Sequence, residues 1–203
     1  MAHMPEAAVP RSQAASAAVV GVALFWVGAV VAGALAPGYS ARADFVSSLA
    51  GRGSSVALWG IGALTVLGLA HLAAAAAVRG PAAVPLGLAG LCGLTVAWFR
   101  TACPLGAAGC GSGVDDPPAD LADTVHGYAV VGYEVALLAA MAVVAWRLAH
   151  TGRTLAAVLT VAAGVVSVVL ALRIGGPDLG AWQRAWLVVN TGWLVAAVTR
   201  LAR

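Results

Sequence analysis

Runs of roughly 20 apolar residues, the length a helix needs to cross ~30 Å of hydrocarbon, recur along this chain of 203 residues. They fall at about 17–35, 56–78, 83–98, 124–146, 155–172 and 186–199. A soluble domain carries roughly 25% charged residues. Here the share is 9%, against 62% hydrophobic and a mean hydropathy of +0.94. A water-soluble fold would need polar helix faces that these runs do not supply. A β-barrel is excluded because barrel strands alternate apolar and polar over ~10 residues, whereas these runs are longer and rich in Ala, Leu and Val. The expected fold class is therefore all-α: an integral membrane bundle of six transmembrane helices with both termini cytoplasmic.

Residues 1–16 read as an N-terminal tag remnant ("MAHM", ahead of a start at Met4) and a polar tail; 17–200 read as one six-helix transmembrane domain and 201–203 as a cytoplasmic tail. The first apolar run is too long for a signal-peptide core and has no clear cleavage site, so it reads as a span.

Orientation follows from arginine, since the chain has no lysine. Arg11, Arg79, Arg147, Arg153, Arg200 and Arg203 fall on one side of the expected bundle, against Arg42 and Arg52 in loops on the other. The positive-inside rule puts the first side in the cytoplasm. Asp44, Asp115, Asp116, Asp120, Asp123 and Asp178 then face outward. No soluble basic module is present, so no nucleic-acid partner is expected. The expected location is the cell membrane, with multiple passes.

The connection "FRTACPLGAAGCGSGVDDPPADLADTVHGY" (99–128) concentrates the polar chemistry. Cys103 and Cys110 close "CPLGAAGC", and an oxidising exterior favours a disulfide between them; the opposite orientation would leave two free thiols. The spacing is not CxxC, which argues against a metal pair. Cys92 lies inside a span and reads as a packing residue. The prolines of "DDPPADLADTVHGY" stop any earlier helix, and Asp120 or Asp123 can cap the next one. His126 follows Asp123 by one turn, so the two can form an acid/base pair. Val130 and Glu134 continue the same stripe.

Glu134 is the only acid well inside a span. An acid at the helix centre costs about 2.5–3.5 kcal/mol on insertion scales, so a partner is expected among Arg100, Arg173 and Arg184. Those arginines end three spans on the outer side. Either they are structural ion pairs and snorkelling side chains, or they form one outward-facing polar pocket for an anionic headgroup, completed by Asp44.

Other polar residues carry weaker signals. His71 and His126 lie toward opposite ends of their spans and are not placed to sandwich one haem. His71, His126 and His150 are distributed rather than clustered, so no three-histidine metal site is expected and the cofactor is left open. Asn190, Thr191 and Ser167 read as interhelical hydrogen-bonding residues. Trp182, Trp186 and Trp193 partly suit an interfacial belt. The glycines from Gly60 to Gly68 read as packing notches rather than a phosphate loop.

"YSARADFVSSLAG" after the first span, the aspartate-to-"VHGY" entrance of the fourth and "GAWQRAWLVVNTGW" opening the sixth resemble the small bacterial and archaeal membrane proteins catalogued as domain of unknown function 998. The resemblance covers most of the chain from about residue 17. It implies a fold of about six helices and no established reaction. It singles out Tyr39, Ser40, Ser48 and Leu49 in the first outer loop, His126 with Gly127 in the fourth span, and Arg184 in the sixth. Where the family carries a proline–aspartate element after the third span, this chain has "CPLGAAGC".

Three functional readings follow. The first is a site that binds, with or without chemistry, an anionic amphipathic lipid or similar small molecule. Arg100, Arg173 and Arg184 would hold the anion, with Asp123 and His126 as the acid/base pair; no motif marks Ser40, Ser47 or Ser48 as a nucleophile. The second is a small proton-coupled transporter built on Glu134. The third is a structural or assembly subunit. The partners expected are membrane lipids and an anionic or amphipathic small molecule.

Overall fold

A computed structural model describes residues 10–78, 80–102 and 120–201. Every regular element in them is helical. Six α-helices form: α1 Arg11–Leu35, α2 Ala57–Ala77, α3 Ala83–Trp98, α4 Leu121–His150, α5 Thr154–Ala171 and α6 Leu179–Leu201. Two 3₁₀ turns, Ser47–Ala50 and Gly176–Asp178, sit in the connections.

Four helices, α1, α2, α4 and α5, are long and apolar enough to cross a membrane by length and composition. The 16-residue α3 is a shorter apolar helix packed between α2 and α4. Two mid-helix polar residues of α6, Asn190 and Thr191, are fully buried. The middle stretches of the outward faces are apolar, with Val20, Leu24, Val27 and Val30 on α1 and Leu155, Val158, Val165 and Val169 on α5 all exposed. Surfaces of that kind fit hydrocarbon and not water.

Each helix packs on the next in sequence, and α6 returns to α1 and α2. Small residues let the backbones approach without any large apolar knob. A Cβ on Gly68 of α2 would lie 2.8 Å from the Leu94 nitrogen of α3. One on Gly60 would lie 2.5 Å from the Ala50 nitrogen in the first 3₁₀ turn, so Gly60 and Gly68 are packing notches while Gly62 faces open space.

Three helices start several residues earlier than expected, α4 by less than a turn and α1 and α6 by more. α1 begins at Arg11, inside the stretch read as a polar tail, because Pro10 leads straight into Ser/Ala residues that tolerate helix. α6 begins at Leu179, ahead of the 186–199 run, as Gly176–Asp178 winds directly into it. At α4 the expected cap is present: Asp120 accepts from the Asp123 N–H at 3.0 Å.

The long connections meet at one end of the bundle. The backbone N–H of Arg52 donates to the Thr101 carbonyl at 3.0 Å, and that of Ala181 donates to the Arg42 carbonyl at 2.9 Å. At the opposite end Gly80 lies close to Arg147. Cys103, Cys110, Asp115 and Asp116 lie outside the described residues.

Candidate functional site

The loop end holds two arginine corners. In the first, Arg100 follows α3. Its Nε donates to the Ala50 carbonyl at 2.7 Å and its Nη2 to the Gly51 carbonyl at 2.8 Å. Beside it the His126 ring nitrogen Nδ1 lies 2.8 Å from the Phe99 carbonyl, which can only accept, so Nδ1 carries the hydrogen. The Asp123 carboxylate accepts from the Ala102 N–H at 2.9 Å. Asp123 and His126 thus each tie the end of α3 to the start of α4 through backbone groups.

The second corner joins the α1–α2 connection to α6. Arg184 donates from Nη1 to the Asp44 carbonyl at 2.8 Å and the Gly180 carbonyl at 2.9 Å, and from Nη2 to the Tyr39 hydroxyl. The Asp44 carboxylate is engaged elsewhere, accepting from the Ser40 N–H at 2.7 Å. Val46 donates its N–H to the Gln183 side chain at 2.7 Å. Gly180 permits this meeting, because a Cβ there would run into the Asp44 backbone. Ser48 stays in the 3₁₀ turn, its carbonyl accepting from Gly51 at 2.9 Å. Leu49 is fully buried, and Gly127 faces open space.

Between α1 and α6, next to this corner, a groove of about 400 Å³ opens. Its walls are the apolar side chains of Trp26, Ala29, Val30 and Ala34, and it is bordered by Tyr39 and Arg184. The guanidinium has no carboxylate partner among the described residues, and its Nε–H is left without an acceptor there. The expected gathering of three arginines around one cavity does not form. Arg184 borders the groove, Arg100 is spent on carbonyls of the neighbouring turn, and Arg173 is exposed beyond the end of α5. Helix ends at similar depth on different sides of a bundle do not converge on one point.

Exposed ion pairs flank both corners, Arg42 with Asp178 and Arg52 with Asp120. Hydrogen bonding from Arg42 holds the Asp178 carboxyl below the usual carboxylate range, and the same contact raises Arg42. Asp120 is held low by the Asp123 N–H first and by Arg52 second.

At mid-bundle a polar network links α4, α5 and α6, and a separate hydrogen bond ties α1 to α6. Glu134 of α4 is half-buried and meets none of the expected Arg100, Arg173 and Arg184. Its Oε1 accepts from Ser167 Oγ of α5 at 2.8 Å and its Oε2 from Trp186 Nε1 of α6 at 3.1 Å. Asn190 Nδ2 in turn donates to Ser167 Oγ at 2.9 Å. Trp26 Nε1 of α1 donates to Thr191 Oγ1 at 3.2 Å. Ser167, Asn190 and Thr191 are therefore the interhelical hydrogen-bonding residues that the sequence suggested.

His71 was undervalued by the sequence. It is fully buried, its Nδ1 lies 2.9 Å from the Leu67 carbonyl, and its Nε2 lies 3.1 Å from the Tyr133 hydroxyl. In the neutral ring Nδ1 donates and Nε2 accepts from Tyr133. The Tyr133 ring packs edge-on against Trp186 with centroids 5.8 Å apart. Trp186 and Trp193 are core residues, so of the three tryptophans proposed for a belt only Trp182 faces outward.

The model of the family described as "Protein of unknown function (DUF998)" matches residues 19–200, and the chain belongs to that family. No curated protein and no solved structure matches it.

Proposed function

We propose that this DUF998 member binds an amphipathic lipid, or a molecule like one, by its anionic group at the mouth of the α1–α6 groove. The observation that carries the reading is the pairing of an apolar-walled groove of about 400 Å³ with a guanidinium that lacks a carboxylate partner among the described residues. The apolar wall of α1 accommodates an acyl chain. Arg184 supplies the charge, and Tyr39 holds its fork in place. Asp44 and Ser40 support that corner by fixing the backbone that Arg184 grips. Arg100, Asp123 and His126 support the neighbouring corner, and Arg173 stands at the surface within reach of headgroups.

In this reading the loop end lies outside, at the outer leaflet of the cell membrane, and both termini are cytoplasmic. Cys103 and Cys110 then bridge in the oxidising exterior. Thiol labelling of both in non-reduced, denatured protein would disprove the bridge.

The test is mass spectrometry of lipids retained by the purified protein. Wild type is expected to retain anionic amphiphiles. Ala34→Trp, which fills the groove from an exposed position, is expected to lose them with its unfolding temperature unchanged. Equal retention by Ala34→Trp and by Arg184→Gln would sink the reading.

A further inference from the structure

Glu134 stands where a carboxylate is expensive, and the described residues give it hydrogen-bond donors but no positive charge. Ser167 occupies one acceptor site on one oxygen and Trp186 one on the other, and the Asn190 side chain lies close by as a further donor. A carboxylate has about four such sites, and the side chain remains half-exposed at its seam with α5 and α6.

The ionisable groups around it do not compensate it. On α5 there is none between Thr154 and Ala171. On α6 there are Arg184, committed at the loop end, and Arg200, in the last turn at the far end. On α4 itself, Asp123, His126 and Tyr128 lie toward the loop end, with Arg147 and His150 in the last turn. Tyr133 adjoins Glu134 but is bonded to His71 of α2. Cys92 of α3 faces Gly132.

Space for water lies next to the network, on the far side of Trp186 and Tyr133. A cavity of about 50 Å³ is lined by Ser47 and Gln183 toward the loop end and by Tyr133 and Trp186 beside Glu134. A water needs roughly 10–15 Å³ on this measure, so a few fit, with the Ser47 hydroxyl and the Gln183 amide as polar partners.

We propose that Glu134 is an intramembrane proton-binding site, alternating between a protonated carboxyl and a carboxylate held by Ser167 and Trp186. The proton arrives from water and returns to it, leaving no other group changed. Taking it up removes the negative charge and makes one oxygen a donor, so the bonds accepted from the Ser167 hydroxyl and the Trp186 N–H weaken. Ser167 is one of only three buried residues of α5, so the proton alters how that helix is held.

The experiment is pH-difference infrared spectroscopy on the full chain in lipid nanodiscs. A protonated-carboxyl band is expected that disappears as pH rises and is absent from Glu134→Gln. Ser167→Ala removes a donor to the anion, which disfavours ionisation, so the midpoint should move up by about one pH unit. The proposal is overturned if no Glu134-dependent band exists at any pH, which means a permanent carboxylate. A band that never titrates overturns it equally, since the group is then a permanent acid. Arg184→Gln leaves the band in place, which separates this site from the lipid groove.

Discussion

Arg100 and Arg184 make the same kind of contact at two corners of one bundle, and Arg184 also borders the groove along α1. Both donate to backbone carbonyls of the α1–α2 connection: Arg100 to Ala50 and Gly51, Arg184 to Asp44. At the Arg100 corner the neighbouring groups, His126 and Asp123, also bond backbone. At the Arg184 corner the end of α1 and the connection after it leave a groove that Arg184 of α6 borders. A buried or half-buried arginine is thus evidence of a ligand only where there is space beside it. Without that space the same chemistry is a clamp.

The contrast can be broken most forcefully at Gly180. Gly180→Leu should push the Asp44 backbone off α6 and cost about 3 kcal/mol in denaturant unfolding, as overpacking against backbone does. Gly127→Leu, which enters open space, should change stability by less than about 0.5 kcal/mol. Next in size, Arg100→Ala should cost about 2 kcal/mol through its two charge-assisted bonds while lipid retention stays at the wild-type level. If Arg100→Ala instead strips the lipid as Ala34→Trp does, the distinction between clamp and binder is wrong. Arg184→Gln should weaken retention of an anionic amphiphile by at least tenfold, about 1.4 kcal/mol.

The smallest effect belongs to the exposed ion pairs. Asp120 and Asp178 have depressed folded-state pKa values, so each contributes stability above its unfolded value, about 3.9. That contribution is lost as pH falls through the lower folded value, and it is constant from mildly acidic to neutral pH. Thermal unfolding of Asp120→Asn and Asp178→Asn should therefore differ from wild type only slightly at neutral pH. The difference should vanish in acid, and it should shrink in about 1 M salt.

The bundle was legible because hydropathy is carried by every residue of a span, and local errors average out. Caps were legible for a related reason: Asp120 and the N–H it accepts are three residues apart. The site was less so. The sequence marks Glu134 as an acid at depth but does not say which helix will lie beside it. Arginines were the expected partners on charge alone, whereas Ser167 and Trp186 reach it from 33 and 52 residues away. His71 gave no signal that it would meet Tyr133, because neither residue has a neighbour in sequence that implies the other. For Arg184 the residue was identified and its surroundings were not, since the width of the α1–α6 gap depends on how the ring of helices closes.

That closure has an order in time. Arg42, Asp44, Val46 and Tyr39 find their partners on the last connection and last helix, 136 to 145 residues later in the chain. At 5–20 residues per second of synthesis, roughly 7–30 s separate the emergence of the two halves of the corner. During that interval the first hairpin loop stands with unmet donors and acceptors at the membrane surface. A ribosome that stalls after α5 therefore leaves a recognisable intermediate. Its first loop should already be held at Ala50 and Gly51 by Arg100, while residues 39–46 stay open to protease and solvent exchange until Gly180 and Arg184 arrive.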